Sequence, residues 1–369
     1  MSNWTPVGSL VVNRSSHSAT LLPDGKVLLA MGTADRTPSA ELYDPSVRSC
    51  SPTGSPFVDR FWPGGLRLSN NKVLVAGGVN RDGKDGKINQ NMDQLRSTEL
   101  YDPQMREWYP SGLLNLTRQL AAFVTLQDGR VMIIGGVYNG QDAPPTGSAP
   151  SPFFDSCEIY DPVSQAWTVT GSLNIARYSH TATTLQDGRV LVVGGAAPLG
   201  TNTPELYDPA TGHWQLAGEP HHARFRHTAT LLADGKVLVA GNAPPNSASA
   251  EMYDPVQDEW FLVGFLATGR EGHVAVRLND GWVLVQGGVS EEAASSAEVY
   301  NPARFVWTSA GSTQYPRLGH TLTLLRHRGP AQLGGRSQVL VAGGSANPTC
   351  EIFDTGSENP VRSIGGSAL

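Results

Sequence analysis

The segment ARYSHTATTLQDGRVLVVGG at residues 176–195 returns as ARFRHTATLLADGKVLVAGN at residues 223–242, and every landmark moves by the same 47 residues. Arg177 becomes Arg224, His180 becomes His227, and Asp187-Gly188 becomes Asp234-Gly235. A period of roughly 40 to 50 residues points to repeated units that bury their apolar faces on one another, because one such unit cannot do so alone. Aligned on itself, the chain gives seven units led by Arg14, Arg60, Arg118, Arg177, Arg224, Arg270 and Arg317. Each continues as an apolar strand, a polar hairpin such as PDGK or QDGR, and a β-branched strand ending in Gly-Gly or a variant. A loop of variable length follows, then a strand end such as Glu-x-Tyr-Asp-Pro, with Trp usually seven residues after the Tyr.

The local chemistry agrees with four strands per unit. An Asp-Gly pair supplies the positive φ angles expected of a two-residue hairpin. Runs such as VLVAGG, VMIIGG and VLVVGG are apolar on both faces, as strands between two neighbouring sheets must be. The small residues of HTATLL suit an inner strand where sheets converge on an axis. The abundance of Gly (41) and Pro (26), with only 16% charged residues, fits short strands joined by tight turns. The fold class read from these features is all-β: a single seven-bladed β-propeller over residues 1–369, with four-stranded blades.

Paired glycines, then Tyr, then Trp at fixed spacing resemble the kelch repeat over essentially the whole chain. The repeats look like those of the bacterial type and of the galactose-oxidase propeller. That resemblance implies a propeller, an architecture that hosts binding modules and enzymes alike. The galactose-oxidase copper site uses a cysteine-linked tyrosine and a ligand from an additional C-terminal domain. Here the cysteines occupy scaffold positions, and no such site is expected. No catalytic set of the kelch-type sialic-acid mutarotases maps onto these positions, and the iron-ligand pattern of kelch-type specifier proteins is not found.

The ends of the chain predict how the ring closes. In units one to six the position seven after the aromatic is Cys50, Trp108, Trp167, Trp214, Trp260 or Trp307, and the next Arg comes ten residues later. In unit seven that position is Pro360, a poor ladder member, whereas Trp4 stands ten residues before Arg14. The N-terminal strand, within residues 1–12, is therefore expected to complete the last blade and leave no open edge.

Residues common to the units are read as scaffold. The seven arginines are matched by Glu41, Glu99, Glu158, Glu205, Glu251, Glu298 and Glu351 at the start of the third strand, so pairing within or between blades is expected. His17, His180, His227, His273 and His320 recur three residues after the Arg. Equivalent positions on adjacent sheets are separated by about 10 Å, too far for a shared zinc ion, and each His is expected to bond backbone. Cys157 and Cys350 precede the repeated Glu and Cys50 stands in the Trp position. The three show neither metal-type spacing nor an even disulfide framework. RDGKDGKINQNM at residues 81–92 lacks the carboxylates of a calcium loop. No metal and no cofactor is expected, and no dinucleotide fingerprint or phosphate-cradling loop is present.

Function is then sought where the copies differ. Two long loops, residues 79–98 and 137–157, lie on the face that carries the Arg, and the second holds Tyr138, Phe153 and Phe154. Long insertions on a rigid scaffold are common recognition elements. The two residues after each Arg should crowd the channel mouth, and they vary from unit to unit, with Phe61, Trp62, Gln119, Tyr178, Phe225, Arg226 and Glu271 among them. Unit five adds His221 and His222. One reading is a scaffold binding a small molecule, protein or peptide through Phe61, Trp62, Gln119, Phe225, Arg226, His221, Tyr138 and Phe153. The alternative is a cofactor-independent isomerase, cyclase or lyase with Glu271 as acid, His222 as base and Tyr178 as hydrogen-bond donor. On the opposite face Arg326, Arg328 and Arg336 form a basic hairpin. The net charge of −6 argues against nucleic acid, and no apolar run is long enough to span a bilayer. A cytoplasmic monomer is the expectation, although a secreted form trimmed of its signal peptide has the same composition.

Overall fold

The computed structural model describes residues 4–33, 35, 37–80, 96–137, 153–197, 203–242, 247–326 and 336–356. These residues form seven four-stranded antiparallel sheets. Blade four is representative, with inner strand Thr181–Thr184, then Val190–Val193, Glu205–Asp208 and outer strand His213–Leu216. Thr181 lies opposite Val193, Val192 opposite Glu205, and Tyr207 opposite Trp214. The inner strands adjoin in sequence around the ring, and Thr321–Leu324 of blade seven returns beside Ser18–Leu21 of blade one.

Closure follows the expected route. Trp4–Ser9 is the outer strand of blade seven, antiparallel to Thr349–Asp354, with Trp4 opposite Phe353. Their ring centroids are 5.1 Å apart, and the Trp4 indole donates to the Ala310 carbonyl of blade six at 2.9 Å. The first and last strands among the described residues thus share one sheet, which removes the open edge of the seventh blade.

The hairpin between inner and second strands differs from the two-residue turn expected. Leu22 N–H donates to Lys26 O and Gly25 N–H donates to Leu22 O, which closes a three-residue loop. Only the glycine has positive φ, at 88°. The Asp side chain explains the difference, because Asp24 Oδ1 accepts from Lys26 N–H at 3.0 Å and locks an Asx turn. Asp128, Asp187, Asp234 and Asp280 repeat it, with Asn70 serving in blade two.

The core is divided among the seven interfaces between blades. The second strands are fully buried, as at Val190, Leu191, Val192 and Val193, and each such side chain contributes about 1.5–3 kcal/mol. Polar ties cross the same interfaces. Tyr101, Tyr160 and Tyr207 hydroxyls bond Thr53, Ser111 and Thr170 of the preceding blade. Trp108, Trp214 and Trp260 indoles donate to the carbonyls of Gly54, Gly171 and Gly218.

Because Trp4 packs in the blade six–seven interface and holds the closing strand, Trp4→Ala should destabilise the protein by about 3–5 kcal/mol. Deletion of residues 1–12 should abolish a single cooperative melt. Thermal unfolding followed by near-UV circular dichroism checks both, and a melt unaltered by the deletion would refute this mode of closure.

Candidate functional site

On the face where blades connect, each repeated Arg enters just before the inner strand and pairs with the Glu of its own blade. The N···O separations are 2.9 Å for Arg14–Glu41, 3.5 Å for Arg60–Glu99 and 3.1 Å for Arg118–Glu158. They are 2.9 Å for Arg177–Glu205, 2.7 Å for Arg224–Glu251 and 2.8 Å for both Arg270–Glu298 and Arg317–Glu351. The guanidinium also donates to the end of the second strand, as from Arg177 to Gly194 O at 3.1 Å. The other Glu oxygen accepts the N–H three residues before the Arg: Val11, Phe57, Asn115, Asn174, His221, Ala267 and Gln314. Blade two has the longest separation. There burial pushes the Glu99 pKa up and the Arg60 pKa down, each away from its charged form. Burial also raises Asp59, beside Arg60, to about 6.

The repeated histidines connect neighbouring blades, three of the five through side-chain hydroxyls rather than the expected backbone. His17, His227 and His273 share hydrogen bonds with the hydroxyls of Thr321, Thr181 and Thr228 on the preceding inner strand. His180 and His320 follow blades with Ala122 and Val274 at that position, and they interact instead with the backbone of Ile134 and Gln286. Burial, then the adjacent Arg, holds His180, His273 and His320 at about 3, so these rings stay neutral. The first glycine of the preceding Gly-Gly pair makes room for the ring. A Cβ on Gly194 would lie 2.8 Å from His227 Cε1. Where the next blade has Pro63 instead of His, Met31 occupies that glycine position.

Two residues beyond each Arg the backbone turns left-handed, at Ser16, Trp62, Leu120, Ser179, Arg226, Gly272 and Gly319, with φ from 50° to 69°. This turn aims successive peptides at one another around the channel. Ser16 N–H donates to Gly319 O, Trp62 to Ser16 O, Ser179 to Leu120 O and Gly272 to Arg226 O. These four bonds tie a collar of turns from which the variable side chains project.

Part of the predicted set comes together on this collar. Phe153, where the second long loop returns, stacks on Tyr178 at 5.1 Å with an interplanar angle of 12°. Tyr178 meets Phe225 edge-on at 5.8 Å, Arg226 lies 5.3 Å over the Phe225 ring, and Arg226 is 4.0 Å from Glu271. Phe154 turns inward instead, with its ring 5.2 Å from the Arg118 guanidinium. Phe61 and Trp62 form a separate pair at 6.3 Å. The Gln119 backbone is bridged to Val137, and Tyr138 lies outside the described residues.

His221 and His222 are directed elsewhere. Both ring Nδ1 atoms approach the scaffold carboxylate Glu251, at 2.9 Å and 3.4 Å. Asn115 and Asn174 make the equivalent side-chain contact to Glu158 and Glu205, at 2.9 Å and 2.8 Å. On the opposite face Arg336 is paired with Asp354 and Arg326 donates to Pro23 O, while Arg328 lies outside the described residues. Among the described residues no three His, Cys, Asp or Glu side chains converge as a metal-binding group.

No protein-family profile matches the chain. Galactose oxidase of Gibberella zeae is 28% identical over 110 residues, covering 30% of this chain and 13% of that protein. Human kelch-like protein 15 is 25% identical over 214 residues, covering 52% of this chain and 32% of that protein. The chain spans less than a third of the length of these curated relatives. A copper-bound fungal alcohol oxidase of the AA5 family superposes with a TM-score of 0.71 at 16% identity, covering 95% of this chain and 76% of that one. The chain is a seven-bladed β-propeller whose repeats are similar to those of the kelch-like proteins. Its relation to galactose oxidase and the kelch-like proteins is distant, and the superposition speaks to the fold.

The propeller's collar has a measurable cost. A Cβ at Gly272, where φ is +62°, would meet only ordinary contacts with Val289 and Leu318, at 3.5 Å and 3.7 Å. Gly272→Val should therefore lose about 1–3 kcal/mol through backbone strain, while Ser179→Gly, at φ 52°, should cost nothing or stabilise slightly. Equilibrium unfolding of the two variants decides it; equal losses would mean that the collar does not impose the left-handed turn.

Proposed function

We propose that this propeller is a binding scaffold that holds a small, ring-shaped polar ligand at its channel mouth. The observation that carries this reading is the unbroken arc from Phe153 through Tyr178, Phe225 and Arg226 to Glu271. It draws on a loop of blade three and the collar of blades four, five and six, and none of its members belongs to the repeat. Aromatic faces offer stacking area, while a half-exposed guanidinium beside a carboxylate offers orientation. Side chains already in mutual contact on a fixed backbone collar suit recognition with little reordering.

The enzymatic alternative draws on Glu271 as acid and Tyr178 as donor. It is weakened as first framed, because His222 is engaged with Glu251 rather than with the arc. A partner protein on the long loops is the other outcome open to test. The kelch-like relatives lend that outcome their name and nothing more specific.

Thermal stabilisation across a panel of saccharides, sugar acids and aromatic acids tests the reading on wild type, Phe225→Ala and Glu271→Ala. A ligand that stabilises wild type should bind each variant about tenfold or more weakly, with all three melting alike without ligand. Unchanged affinity in both variants, or no stabilisation across the panel, would defeat the proposal. In the second case the long loops become the place to seek a macromolecular partner.

A further inference from the structure

Six of the seven blade interfaces use a tryptophan from the outer strand of one blade. In five of these, packing or a hydrogen bond ties it to the small residue just before the repeated Glu of the preceding blade. Trp108 shares a buried cluster with Ala40, Trp214 with Cys157, Trp307 with Ala250 and Trp4 with Ala297. Trp167 reaches Thr98 through its indole N–H. The seventh interface, between blades seven and one, departs from this pattern on the tryptophan side, while its small position holds a Cys as it does in blade three. Cys50 takes the tryptophan position and Cys350 the small position, and the two share one apolar cluster.

The strands that carry them are fixed. Cys50 lies opposite Tyr43 in the outer strand of blade one, and Cys350 stands between Thr349 and Glu351, which pair with Ser9 and Pro6 of the closing strand. That closing strand meets blade one through Gly8, whose N–H donates to Arg48 O at 2.9 Å. A Cβ on Gly8 would lie 2.5 Å from that same carbonyl oxygen, so the seam is held at close range. Cys350 is fully buried, Cys50 is partly exposed, and both are free thiols. Their direct thiol–thiol interaction, followed by burial, pushes the Cys50 pKa up. Cys157 is on the other side of the ring, in the cluster of blades three and four.

We propose that Cys50 and Cys350 form a disulfide that fastens blade one to blade seven across the closing seam. A low-molecular-weight disulfide such as oxidised glutathione is the oxidant. The partly exposed Cys50 thiolate attacks it, one glutathione leaves as the thiol, and a mixed disulfide remains on Cys50. The Cys350 thiolate then attacks the Cys50 sulfur and expels the second glutathione. Two protein thiols have been oxidised and one small disulfide reduced to two thiols. The raised pKa of Cys50 makes the first attack slow while the seam is closed. The link spans some 300 residues of chain, where a cross-link constrains the unfolded state strongly.

The experiment incubates the folded wild-type protein with oxidised glutathione, then alkylates and digests it with trypsin without reduction. The expected product joins peptide 49–60 to peptide 337–362, leaves Cys157 reduced, and lowers the free-thiol count from three to one. The melting temperature should rise by roughly 5 °C and return with dithiothreitol, whereas Cys50→Ser and Cys350→Ser should show no redox-dependent shift. Three free thiols after oxidation, a link through Cys157, or a lower melting temperature in the linked form would each overturn the proposal. The peptide map needs only wild-type protein, so a poorly folding variant leaves the test intact.

Discussion

The buried Arg–Glu pair is the interaction from which the geometry of this propeller follows. One Glu oxygen holds the guanidinium of its own blade and the other holds the N–H three residues before that Arg, as at Glu205 with Arg177 and Asn174. The guanidinium in turn reaches the end of the second strand and the start of the third, through Gly194 O and Thr203 O. A single charge pair thus fixes the chain entering the blade, the inner strand and the third strand. Desolvation of both ions is costly, so every lone pair and N–H must find a partner. The repeat supplies a carboxylate and a carbonyl partner in every blade, although the Nε–H groups of Arg224, Arg270 and Arg317 find none among the described residues.

The same requirement separates scaffold from function. Arg, Glu and His are spent within the ring: the arginines are 0–2% exposed and the histidines are kept neutral by burial. The collar fixes the backbone of the next two residues and leaves their side chains without a structural duty. The proposed recognition site draws on these positions by exclusion as well as by geometry. The arc from Phe153 to Glu271 uses positions that the scaffold does not need.

Much of this was legible in the sequence, because a feature repeated seven times marks its own role. Blade number, strand order, the Trp4 closure and the Arg–Glu pairing all follow from register. The hairpin did not, since Asp-Gly serves a two-residue or a three-residue loop, and the Asx bond from Asp24 selects the latter. His221 and His222 stood out as unlike their counterparts, yet Asn115 and Asn174 already hinted that this position serves the Glu. The left-handed collar had a visible sign in Gly272 and Gly319. Serine, tryptophan, leucine and arginine at the equivalent positions concealed it. Phe153 and Phe154 are neighbours in sequence, and only the return path of the loop sends one to the mouth and the other onto Arg118. The meeting of Cys50 with Cys350 required two facts together: which blades adjoin at the seam, and which residue stands in each interface position.

A double-mutant cycle on Arg177 and Glu205 tests the central claim most directly. Equilibrium unfolding would be compared for Arg177→Met, Glu205→Gln and the combined variant. The account predicts that each single change loses about 3–5 kcal/mol, because it strands a buried charge, and that the double variant loses clearly less than the sum. Single losses under about 1 kcal/mol that simply add would contradict it, and would make the repeated arginines candidates for ligand binding.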